Sequence, residues 1–114
     1  MQKVTVGKSG VVLSPIGQLD AAYGLELESQ IISIIRTYQT PPVVLSFEKV
    51  RGIDSAGLMA LVSVVRLARR YGFSLTFCSV SPELRMVLEL SQLDRLVKIT
   101  HKAPAALRSL PVAA

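Results

Sequence analysis

The chain has 114 residues, half of them hydrophobic and 18% charged, which fits one domain spanning residues 1–114 and excludes a disordered polymer. One cysteine, Cys78, excludes an internal disulfide, and with one histidine, His101, it leaves no nitrogen and sulfur ligand set for zinc, so no metal or other cofactor is expected. The net charge of +5 comes from thirteen basic residues spread along the chain, with Arg66, Arg69 and Arg70 the one tight group, and aromatic residues make up 5%, which argues against direct nucleic-acid binding.

In chain order, Gln2 to Val6 alternates polar and apolar, Gly7-Lys8-Ser9-Gly10 supplies a turn, and Val11-Val12-Leu13 begins a second run: a β-hairpin. Pro15 cannot donate to a ladder, so the second strand is expected at a sheet edge or with a bulge there. Asp20 offers a helix cap. Leu25, Ile31, Ile32 and Ile35, with Glu26 and Glu28 early and Arg36 late, predict an amphipathic helix ending before Pro41-Pro42.

From there the sequence alternates regularly. Strand Val43 to Glu48, helix Ala56 to Arg70 stopped by Gly72, strand Ser74 to Val80, helix Pro82 to Leu90 and strand Leu96 to Thr100 follow in turn, and Pro104 opens a short last helix through Leu110. Ser81-Pro82 pairs an N-cap serine with a proline at the first helical position. The reading is an α/β fold: a mixed, largely parallel central sheet with an N-terminal hairpin and βαβ units, packed by about four helices. Right-handed crossovers would gather strand C-termini and helix N-termini on one edge, with Ser55 on it.

The central helix carries an apolar stripe of Leu58, Leu61, Val62, Val65 and Ala68, widened by Ala60, Val64 and Leu67. Met59, Ser63, Arg66 and Arg70 make a narrow mixed face, which reads either as the outside of a packed helix or as a partner site with Met59 as an adaptable anchor. The mean hydropathy of +0.46 is high for a small domain and fits apolar surface kept for a partner. The N-terminus lacks the apolar core of a signal peptide, and the run Ala56 to Val65 is far short of a bilayer span, so a cytoplasmic protein without direct membrane insertion is expected.

The junction Gly52-Ile53-Asp54-Ser55-Ala56-Gly57-Leu58 sets a polar hinge between a strand-like and a helix-like run. Asp54 or Ser55 suits the N-cap. Because a helix N-terminus offers unpaired N–H groups and attracts negative charge, Ser55 is also a place where a phosphate is tolerated, so capping and switching both remain open. No catalytic constellation accompanies it: Gly7-Lys8-Ser9 lacks the spacing of a phosphate-binding loop, no Gly-x-Ser-x-Gly elbow occurs, and Asp20, Glu48 and Asp54 are scattered. A non-enzyme is expected.

Taken together, Gly17-Gln18-Leu19-Asp20, Val43-Val44-Leu45-Ser46-Phe47, Ile53-Asp54-Ser55-Ala56-Gly57-Leu58, Gly72-Phe73-Ser74-Leu75, Val80-Ser81-Pro82 and Leu88-Glu89-Leu90-Ser91-Gln92-Leu93 resemble the STAS domain in order and spacing. The likeness is greatest to the stand-alone bacterial anti-sigma-factor antagonists. That resemblance implies a binding module that captures an anti-sigma factor, itself a serine kinase using ATP, and releases it once phosphorylated; a serine phosphatase resets it. Ser55 matches the phosphorylated serine, Asp54 its neighbouring aspartate, and Gly57 the glycine that permits close approach. The partner-facing set implied is Asp20, Asp54, Ser55, Gly57, Leu58 and Met59. Ser46 departs from the Asp or Asn usual in the preceding strand. The alternative within the family is a cytoplasmic STAS subunit docked on the ATPase of a lipid-transporting ABC system.

Overall fold

A computed structural model describes residues 3–7, 10–39 and 41–101. Strands β1 (Lys3–Gly7) and β2 (Gly10–Ser14) form the expected antiparallel hairpin. Three further strands, β4 (Val43–Ser46), β6 (Leu75–Cys78) and β7 (Lys98–Thr100), extend it in parallel, in the order β1-β2-β4-β6-β7. Between them run α1 (Ala21–Tyr38), α2 (Ser55–Tyr71) and α3 (Pro82–Leu90). The helix expected from Pro104 through Leu110 lies outside the described residues.

Strand pleating sorts the core. Val11, Leu13, Val43, Leu45 and Phe77 join Leu27, Ile31, Leu61 and Val64 of the helices in the main cluster, while Val12, Val44 and Cys78 form a smaller one on the opposite face. Phe47 and Phe77 meet edge to face with centroids 5.0 Å apart. Cys78 is a buried free thiol, as its strand pattern implies, and burial pushes its pKa up. His101 is exposed.

A second ladder departs from the sequence reading. β3 (Ile16–Leu19) and β5 (Lys49–Ile53) pair in parallel as a separate two-stranded sheet. Pro15 therefore marks neither an edge nor a bulge of β2, which lies inside the sheet between β1 and β4; it follows the last residue of β2 and is buried where the chain leaves one sheet for the other. The strand expected to reach Glu48 likewise stops at Ser46. Phe47 N–H donates to the Cys78 carbonyl, Val50 N–H donates back to the Phe47 carbonyl, and the turn delivers β5. β7 begins two residues later than expected, because Leu93–Arg95 close a 3-10 turn first.

One side chain reverses. Leu25 was expected on the buried stripe of α1 but is 68% exposed, while Gly24, Leu27, Ile31, Ile34 and Ile35 face inward. The phase is set by the neighbouring helix: a Cβ built on Gly24 would sit 2.5 Å from the Cβ of Ala60, so Gly24 is where α1 touches α2. In α2 the expected stripe holds, with Leu61, Val65 and Ala68 buried and Leu58 and Val62 half-buried against the core.

Candidate functional site

The ends of β3 and β5 bring two helix N-termini side by side. Asp54 N–H donates to the Leu19 carbonyl at 3.2 Å, which ties the residue before α2 to the residue before the cap of α1. Asp20 accepts from Tyr23 N–H at 3.0 Å and Asp54 from Gly57 N–H at 2.8 Å, each in extended backbone geometry, so both are N-caps. The two carboxylates thus stand on one end of the molecule, although 33 positions separate them in sequence.

With Asp54 as the cap, Ser55 is the first helical residue. It is exposed, its hydroxyl makes no hydrogen bond among the described residues, and no acidic residue occupies the first turn of α2. Phosphate oxygens there would face the unpaired N–H groups and the positive end of the helix dipole. Ser55 does not follow a strand of the main sheet, as the alternation suggested; it follows β5, the outlying ladder.

Gly57 makes this arrangement fit. A Cβ added to it would overlap the Leu19 carbonyl oxygen and press on the Ile53 side chain, so only glycine lets α2 start this close to β3. Leu58 turns inward and packs half-buried, whereas Met59 is 59% exposed. Of the six residues singled out from the sequence, Asp20, Asp54, Ser55 and Met59 reach the surface at this end, while Gly57 and Leu58 hold it together. Beside it, Arg51, Gly52 and Ile53 of β5 face Ser81, Glu83 and Val87 across a hollow of about 330 Å³.

The STAS domain model matches residues 2–106. The chain belongs to the STAS domain family. This STAS domain is 27% identical over 96 residues to the anti-sigma F factor antagonist of Paenibacillus polymyxa, an alignment covering 84% of this chain and 82% of that one. A Thermotoga maritima protein superposes with a TM-score of 0.78 at 22% identity, over 90% of this chain and 87% of the other. The anti-sigma factor antagonist SpoIIAA of Bacillus superposes in both its states. The TM-score is 0.72 for the unphosphorylated form, at 17% identity and 90% of each chain, and 0.70 for the phosphorylated form, at 19% identity over 90% and 93%.

Two supports of this STAS site were not legible in the sequence. One is the Leu19 carbonyl, which receives Asp54 and excludes a side chain at Gly57. The other is Tyr23, whose hydroxyl accepts from Ile16 N–H at 3.0 Å and pins β3 to α1; burial pushes its pKa up. Neither follows from local pattern: a carbonyl carries no residue signature, and the Tyr23–Ile16 contact is set by how α1 lies against β3. Ser46, the departure from the family's usual Asp or Asn, ends β4 buried beside its ladder partner Cys78. Among the described residues there is no cluster of His, Cys, Asp or Glu fit for a metal ion, and no helix long and apolar enough to cross a membrane.

Proposed function

We propose that this STAS domain is an anti-sigma-factor antagonist: a non-catalytic cytoplasmic module that binds an anti-sigma factor kinase through the α1–α2 end and lets go once Ser55 is phosphorylated. The observation that carries this reading is the division of labour between Asp54 and Ser55. The aspartate takes the cap, so the serine hydroxyl is exposed, without a hydrogen bond among the described residues, and open to modification without loss of a helix contact. The likeness to the Paenibacillus polymyxa antagonist supports the same class.

In the phosphorylation step the Ser55 hydroxyl oxygen attacks the γ-phosphorus of ATP held by the kinase. The phosphorus–oxygen bond to ADP breaks, and the hydroxyl proton leaves to a base of the kinase. The product adds about two negative charges next to the carboxylates of Asp20 and Asp54. The helix end accommodates that charge, whereas a partner surface packed on Met59 meets repulsion and a desolvation cost. Release is therefore local and needs no refolding. SpoIIAA itself superposes almost equally well in its two states, which supports a switch of surface rather than of fold. A serine phosphatase would restore the binding form.

The test uses wild-type protein and Ser55→Asp as paired baits in lysate of the source organism, with co-purifying proteins identified by mass spectrometry. A small kinase-like ATPase recovered with wild type and lost with Ser55→Asp supports the reading, as does ATP-dependent labelling that Ser55→Ala abolishes. Recovery of transporter ATPase subunits with both baits overturns it in favour of a docking subunit. Labelling that persists in Ser55→Ala overturns the site.

A further inference from the structure

Three cations converge at the end of the molecule away from Ser55. Arg69 in the last turn of α2, Arg95 in the 3-10 turn and Lys98 opening β7 line an open hollow of about 470 Å³, together with Gly72, Phe73 and Leu96. Fourteen helical residues at about 1.5 Å each put Arg69 roughly 21 Å from Ser55 along α2. The dipole at a helix C-terminus accounts for Arg69. It does not account for Arg95 and Lys98, which arrive from the facing segment.

Among the described residues no acidic side chain lines the hollow. Asp94, next to Arg95, makes no ion pair with any of the three, and among the described residues the ion pair formed is Arg85 with Glu89 on α3. The cations surround apolar surface: Leu96 is 46% exposed, and Phe73 and Val97 are buried beneath. A shallow, open site with a basic rim around exposed apolar surface combines the two halves of a peptide-docking surface.

We propose that this hollow docks an acidic polypeptide segment of a partner protein, its carboxylates paired with Arg69, Arg95 and Lys98 and one aliphatic or aromatic side chain set against Leu96. Charge complementarity selects that occupant. Residues 102–114 of this chain carry Lys102 and Arg108 and no acidic side chain, and a second copy brings a net charge of +5, so neither complements the rim. The surface is independent of the Ser55 switch, and its failure leaves that reading untouched.

The test uses the full chain and a fluorescein-labelled peptide alternating pairs of glutamates with single leucines, followed by anisotropy and by amide shifts in nitrogen-15 spectra. Expected shifts centre on Arg69, Gly72, Leu96 and Lys98. Neutralising Arg69→Gln with Lys98→Gln, both exposed in the fold, should weaken binding about tenfold, at about threefold per rim charge, and raising salt should weaken it further. Ser55→Asp should bind the peptide like wild type. Equal binding of a glutamine-for-glutamate peptide, shifts centred elsewhere, or unchanged affinity in the double variant overturns the proposal. Binding to phosphatidylglycerol vesicles without binding to the peptide overturns it in favour of a membrane contact.

Discussion

Gly57 and the Leu19 carbonyl occupy neighbouring space so fully that a methyl group on the glycine would overlap the oxygen. The contact joins the first turn of α2 to the end of β3, and with the Asp54–Leu19 hydrogen bond it fixes how Ser55 is presented. Gly57→Ala should cost about 3 kcal/mol by overpacking. Gly72→Ala is the contrast: open space surrounds that position but its φ is +74°, so backbone strain alone should cost about 1 kcal/mol. Urea midpoints of the two variants rank the effects, and a smaller loss for Gly57→Ala than for Gly72→Ala would refute the contact.

Capping and switching separate by substitution. Asp54→Ala removes the acceptor for Gly57 N–H and should lose about 1 kcal/mol, while Ser55→Ala should stay within about 0.5 kcal/mol of wild type. Ser55→Asp places an acid in a first turn that holds none, so its unfolding free energy should equal that of wild type or rise by about 0.3–1 kcal/mol. A large destabilisation by Ser55→Asp would make the position structural.

The α1–α2 contact predicts compensation between Gly24 and Ala60. Gly24→Ala adds a methyl 2.5 Å from the one on Ala60 and should cost about 2 kcal/mol, and Ala60→Gly alone should cost about 1 kcal/mol through helix propensity. The double variant removes the clash and should be more stable than the two losses added together. Strict additivity in a urea double-mutant cycle would mean that the helices do not meet there.

Burial holds the Cys78 thiol above its usual value of 9.0. Folding therefore favours the protonated form, a contribution fully present below that usual value and lost as pH rises through the folded-state pKa. Wild type should lose more stability than Cys78→Val on going from neutral to strongly alkaline pH, while Tyr23, titrating in both, cancels in the comparison. Equal alkaline losses in the two proteins would exclude the thiol as the source.

Much of this protein is decided within a few residues of chain. Asp20, Ser81-Pro82 and Gly72 set helix ends by satisfying local N–H groups or by adopting a left-handed φ, and the stripe of Leu61, Val65 and Ala68 fixes the inner face of α2. The Asp54-Ser55 junction, and with it the STAS resemblance, was legible for the same reason. It left open which of the two residues caps, and tertiary geometry assigned the cap to Asp54.

Other features depend on contacts between residues far apart in sequence. Lys49-Val50-Arg51-Gly52-Ile53 alternates polar and apolar only over its first three residues and becomes β5 because β3 supplies its ladder partners. Leu25 has the right spacing for the core of α1 but points outward because Gly24 must meet Ala60. Arg69, Arg95 and Lys98 belong to three separate elements and make one surface only when α2 and β7 pack at the same end. Local pattern determined the helices, the strands of the main sheet and where the switch-like serine falls; the tertiary structure decided the β3–β5 ladder and what stands beside the serine, because neighbours across space are chosen by packing of whole elements and not by spacing along the chain.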